Sequence, residues 1–87
     1  MVNGDYKGLT IGQSYKFDAS SGSSVTFWDE NRYDRTGGVT AGNMDKGRYK
    51  DGFTLLDIDI DEKGTHWGKI KLSDGSIYWV NLDLEAN

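Results

Sequence analysis

Trp67-Gly68-Lys69-Ile70-Lys71-Leu72, Ser73-Asp74-Gly75-Ser76 and Ile77-Tyr78-Trp79-Val80 follow one another without a break and spell two short strands around a tight turn. Asp-Gly between alternating apolar residues is the pattern of a two-residue type I′ hairpin, because both central residues must accept a left-handed backbone. Pairing outward from Asp74-Gly75 sets Leu72 opposite Ile77 and Ile70 opposite Trp79. Those four form one apolar face, and Lys69, Lys71, Tyr78 and Val80 form the other. Trp79 is therefore expected in the core and Tyr78 on the outside. Trp67 is out of phase with Ile70 and Leu72, so it too is expected on the outer wall, where an indole offers a flat face to a sugar, a peptide or a cation.

Upstream, Phe53 to Asp61 reads as one strand with Leu56, Ile58 and Ile60 on one face and Asp57, Asp59 and Asp61 on the other. Phe53 and Leu55 break that alternation, which predicts a β-bulge at Leu55–Leu56. Glu62-Lys63-Gly64-Thr65 is a turn. Tyr15-Lys16-Phe17 and Val25-Thr26-Phe27-Trp28 read as two further strands separated by a serine-rich turn, with Trp28 expected in the core. Asp29 to Gly47, carrying Gly37, Gly38, Gly42 and Gly47, reads as one long irregular loop of the kind that often carries function. Asn81-Leu82-Asp83-Leu84 reads as a short turn and a closing strand. Twelve glycines, no proline and no sustained helical period give an all-β chain of five to six short, mostly antiparallel strands. A ribbon that short is stabilised by curling into a small barrel, which removes exposed edges. The 87 residues make one domain, with residues 1–12 read as a flexible extension ahead of the barrel.

Composition removes several classes of function. The absence of cysteine excludes disulfide frameworks, cysteine-based zinc sites and thiol nucleophiles. A net charge of −4 argues against nucleic acid as a partner, since phosphate binding draws on clustered Lys and Arg. No apolar stretch approaches the length of a membrane span, and no basic-then-apolar segment opens the chain as a secretory signal would. Aromatics are 13% of the residues, so a small interior is filled by few but large side chains.

Residues 46–84 resemble a bacterial SH3 (SH3b) domain. The resemblance rests on Lys46-Gly47, Leu55-Leu56-Asp57-Ile58, Trp67-Gly68-Lys69-Ile70-Lys71-Leu72, Ser73-Asp74-Gly75, Trp79-Val80 and Leu84, in that order. It implies an SH3-like barrel with a long RT-type loop, to which Asn31-Arg32-Tyr33-Asp34 would belong. It also implies a non-catalytic module of the sort that holds peptidoglycan hydrolases and bacterial surface proteins on the cell wall. The family's usual opening motif is absent from the N-terminal half.

The candidate ligand-binding residues are Trp67, Tyr78, Tyr33 and Tyr49 as aromatic walls of a shallow groove, with Arg32 and Asp34 as its charged end. Arg32 to Lys50 holds five basic residues against two acids, while Asp51 to Glu62 holds five acids and no base. Such a bipolar surface suits a zwitterionic ligand such as a wall peptide. Asp57-Ile58-Asp59-Ile60-Asp61 fails as a calcium loop, because the sixth and twelfth positions hold Glu62 and Gly68 in place of Gly and Glu. His66, the single histidine, reads as an exposed loop residue with no nucleophile to serve. The expected protein is a monomer without enzymatic activity, cofactor or metal, extracellular or wall-associated as part of a larger parent. Its expected partner is a peptidoglycan peptide or cross-bridge. The alternative is an SH3-like protein–protein module of a phage or intracellular bacterial protein, docking a polyproline segment on the same aromatic face.

Overall fold

The structure, a computed structural model, describes residues 6–18, 20 and 22–85. Among the described residues it is nearly all-β, with one α-helical turn and two short 3-10 turns. The strands are β1 (Ser14–Tyr15), β2 (Ser24–Trp28), β3 (Arg35–Thr40), β4 (Phe53–Ile60), β5 (His66–Leu72) and β6 (Ile77–Asn81), followed by α1 (Leu82–Glu85). All pair antiparallel in one sheet of order β1-β4-β5-β6-β2-β3, which curls into a half-barrel around its core. The terminal strands β1 and β3 do not pair with each other, so the sheet is not closed into a full hydrogen-bonded barrel.

The bulge expected in β4 is present: Leu55 pairs with Ile70 and Asp57 with Lys69, leaving Leu56 as the extra residue. The bulge brings both Leu55 and Ile58 onto the concave face, where they are fully buried with Phe27, Met44 and Ile70. Phe17, Phe53, Tyr49 and Tyr78 close around this centre, with Phe27 stacked on Tyr78 at 5.0 Å and Phe17 against Phe53 at the same distance. Aromatic side chains thus supply the bulk that a short chain lacks in number.

The turn between β5 and β6 differs from the expectation by one residue. The Gly75 N–H donates to the Leu72 carbonyl (2.9 Å) and the Leu72 N–H to the Ser76 carbonyl (2.8 Å), so the loop is Ser73-Asp74-Gly75, with Gly75 left-handed at φ 91°. This is the three-residue hairpin, a type I turn completed by a glycine bulge. Its register sets Lys71 opposite Ile77, Ile70 opposite Tyr78 and Lys69 opposite Trp79. A slip of one residue exchanges the two faces of a strand. Tyr78 and Val80 accordingly face the core, while Trp79 and Ile77 face outward and Ile77 is half exposed. The expected core position of Trp79 and the expected outward position of Tyr78 are both corrected. Trp28, paired with Trp79 and adjacent to buried Phe27, lies on the outer face too.

Three further expectations change. Asp29 to Gly47 is not one irregular loop. β3 pairs with β2 as a hairpin, and two short 3-10 turns (Ala41–Asn43 and Gly47–Tyr49) follow it. The expected closing strand is helix α1. Asn81 Oδ1 accepts the N–H groups of Asp83 (3.0 Å) and Leu84 (3.3 Å), capping the turn while Leu82 drops onto the core. Of the stretch 1–12, Tyr6, Leu9 and Ile11 pack on the core and the Gly12 N–H donates to the Leu55 carbonyl (2.8 Å), while residues 1–5 lie outside the described residues.

Gly38, Gly52 and Gly68 each pass a neighbouring atom too closely for a Cβ, Gly38 at the Val25 carbonyl. Gly68 lies under Leu82, whose Cδ2 would stand 2.9 Å from an added Cβ. Gly52, at φ 76°, passes Tyr15 so closely that a Cβ would sit 2.0 Å from its carbonyl oxygen. Left-handed strain of about 1–2 kcal/mol therefore adds to a clash with backbone that cannot rotate away. Gly52→Ala is expected to lower unfolding free energy by about 3 kcal/mol in urea titration. A midpoint indistinguishable from the parent would contradict the close approach of β1 to the turn before β4.

Candidate functional site

The β2–β3 and β4–β5 loops stand side by side and enclose a pocket of about 230 Å³. Each loop is shaped by one aspartate. Asp29 Oδ1 accepts the N–H groups of Asn31 (3.0 Å) and Tyr33 (3.4 Å), and the Asp29 N–H donates to the Asp34 carbonyl (3.0 Å). The turn is tight enough to place Arg32 at φ 64°, a left-handed conformation that only a well-determined loop holds in a residue with a side chain. Asp61 Oδ1 accepts the N–H groups of Lys63 and Thr65, both at 2.9 Å, and its Oδ2 takes the indole N–H of Trp67 at 2.9 Å. The indole hydrogen bond is the main cause that holds the Asp61 carboxyl below the usual carboxylate range; partial burial opposes it, and the two backbone donors and Arg32 reinforce it.

Trp67 lies on the outer wall, as expected, but its ring is not open. Only 7% of the residue is accessible. Trp28 meets it edge-on at 5.8 Å, and the Arg32 guanidinium spreads over Trp79 at 4.9 Å and Trp67 at 5.9 Å. Arg32 is held there by a 2.7 Å ion pair with Asp59. Three tryptophans and an arginine thus form a second apolar cluster on the convex side, with guanidinium–indole attraction where water is partly excluded. Trp67 contributes the floor of the pocket. Tyr33, at 82% exposure, contributes an open ring at its edge. Arg32, Asp61, Glu62 and Lys63 bring charge of both signs to the same rim.

The six expected ligand residues therefore divide. Arg32, Tyr33 and Trp67 meet at this pocket, and Asp34 is exposed in the same loop. Tyr49 and Tyr78 are on the concave side of the sheet and do not share a groove with Trp67. Their hydroxyls accept from Arg48 (3.1 and 3.5 Å), which also pairs with Asp74 at 3.2 Å and so fastens the second 3-10 turn to the β5–β6 hairpin. Those bonds, Tyr49 first, deepen the preference of Arg48 for its charged form. Asp57, Asp59 and Asp61, which alternate in sequence, find three different partners: the Ile58 N–H, Arg32 and Trp67.

His66 is not an exposed loop residue. It opens β5 beneath the Tyr6 ring, which stacks on it at 3.9 Å. Tyr6 donates its hydroxyl proton to Asp83, whose other oxygen takes the His66 N–H at 3.0 Å. The Tyr6 hydroxyl is the leading cause that lowers the Asp83 carboxyl. This set ties the N-terminal segment to α1.

Comparison with known protein families, with curated proteins and with solved structures finds no match.

Asp61, Asp74 and Asp83 are each held below the ordinary carboxylate range in the folded chain. Such groups bind fewer protons folded than unfolded, so their stabilisation is complete above about pH 5 and is lost as the pH falls through the folded values. Asp61→Asn is expected to be less stable than the parent at pH 7, with the gap closing toward about pH 3. Denaturant midpoints across that range test it, and a gap independent of pH would contradict the role given to the Asp61 charge.

Proposed function

We propose that this chain is a non-catalytic binding module of the SH3-like kind, holding a larger parent protein on cell-wall peptidoglycan outside the cell. Its ligand is a short peptide or cross-bridge carrying a free amine and a carboxylate, taken up between the β2–β3 and β4–β5 loops. The observation that carries this reading is the exposed Tyr33 ring standing beside charges of opposite sign at one pocket. Among the described residues, Glu62 and Lys63 make no ion pair within the chain, so both remain open to an ammonium and a carboxylate of a ligand. A pocket this shallow has room to grip a peptide terminus but not to enclose a glycan strand. The resemblance of residues 46–84 to bacterial SH3 domains supports the same class of partner. Docking of a polyproline helix between aromatic walls is less well supported, since Tyr49 and Tyr78 turn to the concave side.

The test is co-sedimentation of the chain with purified cell walls, followed by titration with a soluble wall stem peptide. The chain is expected in the pellet, and Tyr33→Ala is expected to weaken peptide binding about tenfold, equivalent to about 1.4 kcal/mol. Acetylating the amine or amidating the carboxylate of the peptide is expected to weaken it as well. Chain left wholly in the supernatant would overturn the proposal, as would equal binding of parent and Tyr33→Ala.

A further inference from the structure

We propose that the concave side of the half-barrel is a second binding site, and that it takes a small amphipathic amine, with the aliphatic body against the core and the ammonium at Glu85. The site is separate from the loop pocket and does not depend on the function assigned to that pocket. Where β1 and its continuation part from the start of β2, a recess of about 480 Å³ opens to solvent, walled by the half-buried Leu9, Phe17 and Val25 with the buried core residues Met44, Ile70 and Val80 behind them. That volume falls within the range of small-molecule sites, roughly 300–1,000 Å³, and its walls are mostly apolar, as such sites are. The recess is large for an 87-residue chain, and the interior behind it is filled by interlocking side chains.

Charge at the mouth selects the head group. Glu85 lines the opening and is half buried; one of its oxygens accepts the Thr26 N–H at 3.3 Å. Among the described residues no cation pairs with it. Burial raises its carboxyl above the usual range, the mark of a charge that water serves poorly. Lys16 and Asp18 also reach the rim, both exposed, and their charges offset each other. The excess is one negative charge beside an apolar hole. An ammonium placed there gains a partner for the carboxylate while its alkyl chain leaves water. A carboxylate head would meet Glu85 with like charge.

The test titrates octylamine, octanol and octanoate, below their micellar concentrations, into the full chain and follows residue-resolved NMR shifts. Octylamine is expected to shift Leu9, Phe17 and Val25, leaving Tyr33 unmoved, and to bind at least tenfold more tightly than octanoate. Glu85→Gln is expected to reduce octylamine to the affinity of octanol. On the parent chain, acidification through the Glu85 titration is expected to weaken octylamine and leave octanol unchanged, a readout that needs no variant. Absence of shifts on the concave side with all three probes would overturn the site. Equal affinity for octylamine and octanoate, or for octylamine and octanol, would overturn the role of Glu85.

Discussion

Gly75 closes the β5–β6 hairpin in a left-handed conformation, and that one residue decides which side of β6 meets the core. With a three-residue loop, Tyr78 and Val80 turn inward, and Trp79 turns outward to join Trp28 and Trp67. A two-residue loop would exchange them, leaving the stacked Phe27–Tyr78 pair without its tyrosine and Arg32 without the indole beneath it. The turn is held from outside as well. Asp74 accepts the Ser76 N–H at 2.9 Å and pairs with Arg48, which also reaches the hydroxyls of Tyr49 and Tyr78. The register is therefore fixed both by backbone and by side chains drawn from a distant loop.

From that register follows a molecule with two hydrophobic clusters rather than one. The concave cluster is the true interior, built on Leu55, Ile58, Ile70 and Phe27. The convex one is three tryptophans under a guanidinium, and it gives the β2–β3 loop a fixed base from which Tyr33 projects. Each cluster borders a recess of different character. The convex recess is small and lined by charges of both signs. The concave recess is larger and apolar, with a single carboxylate left over at its mouth.

Strands β4 to β6 were legible in the sequence because alternation, the Leu55–Leu56 break and Asp74-Gly75 are strong local signals. The bulge appears where the alternation fails. Reading Asp-Gly as the whole loop, rather than as its last two residues, was enough to misplace Trp79 and Tyr78. β3 was hidden because Arg35–Thr40 buries only Val39 and carries two glycines, so neither propensity nor pattern marks it as a strand. The Asn81 cap that turns the C-terminus into α1 was within reach of sequence reading, since asparagine is among the residues favoured at a helix N-cap. In the candidate site, Arg32, Tyr33 and Trp67 were singled out by residue type, and the fold brings them to one pocket. The roles of Asp61, Glu62, Lys63 and Asp59 required the two loops to be placed together, and no spacing along the chain records that.

Nuclear Overhauser contacts between β5 and β6 report directly the cross-strand pairing that sets both faces of the sheet. Lys69 is expected to face Trp79 and Ile70 to face Tyr78, with the Tyr78 ring in contact with Phe27. Contacts that instead pair Ile70 with Trp79 and Leu72 with Ile77 would place the indole in the core and contradict the arrangement of both faces.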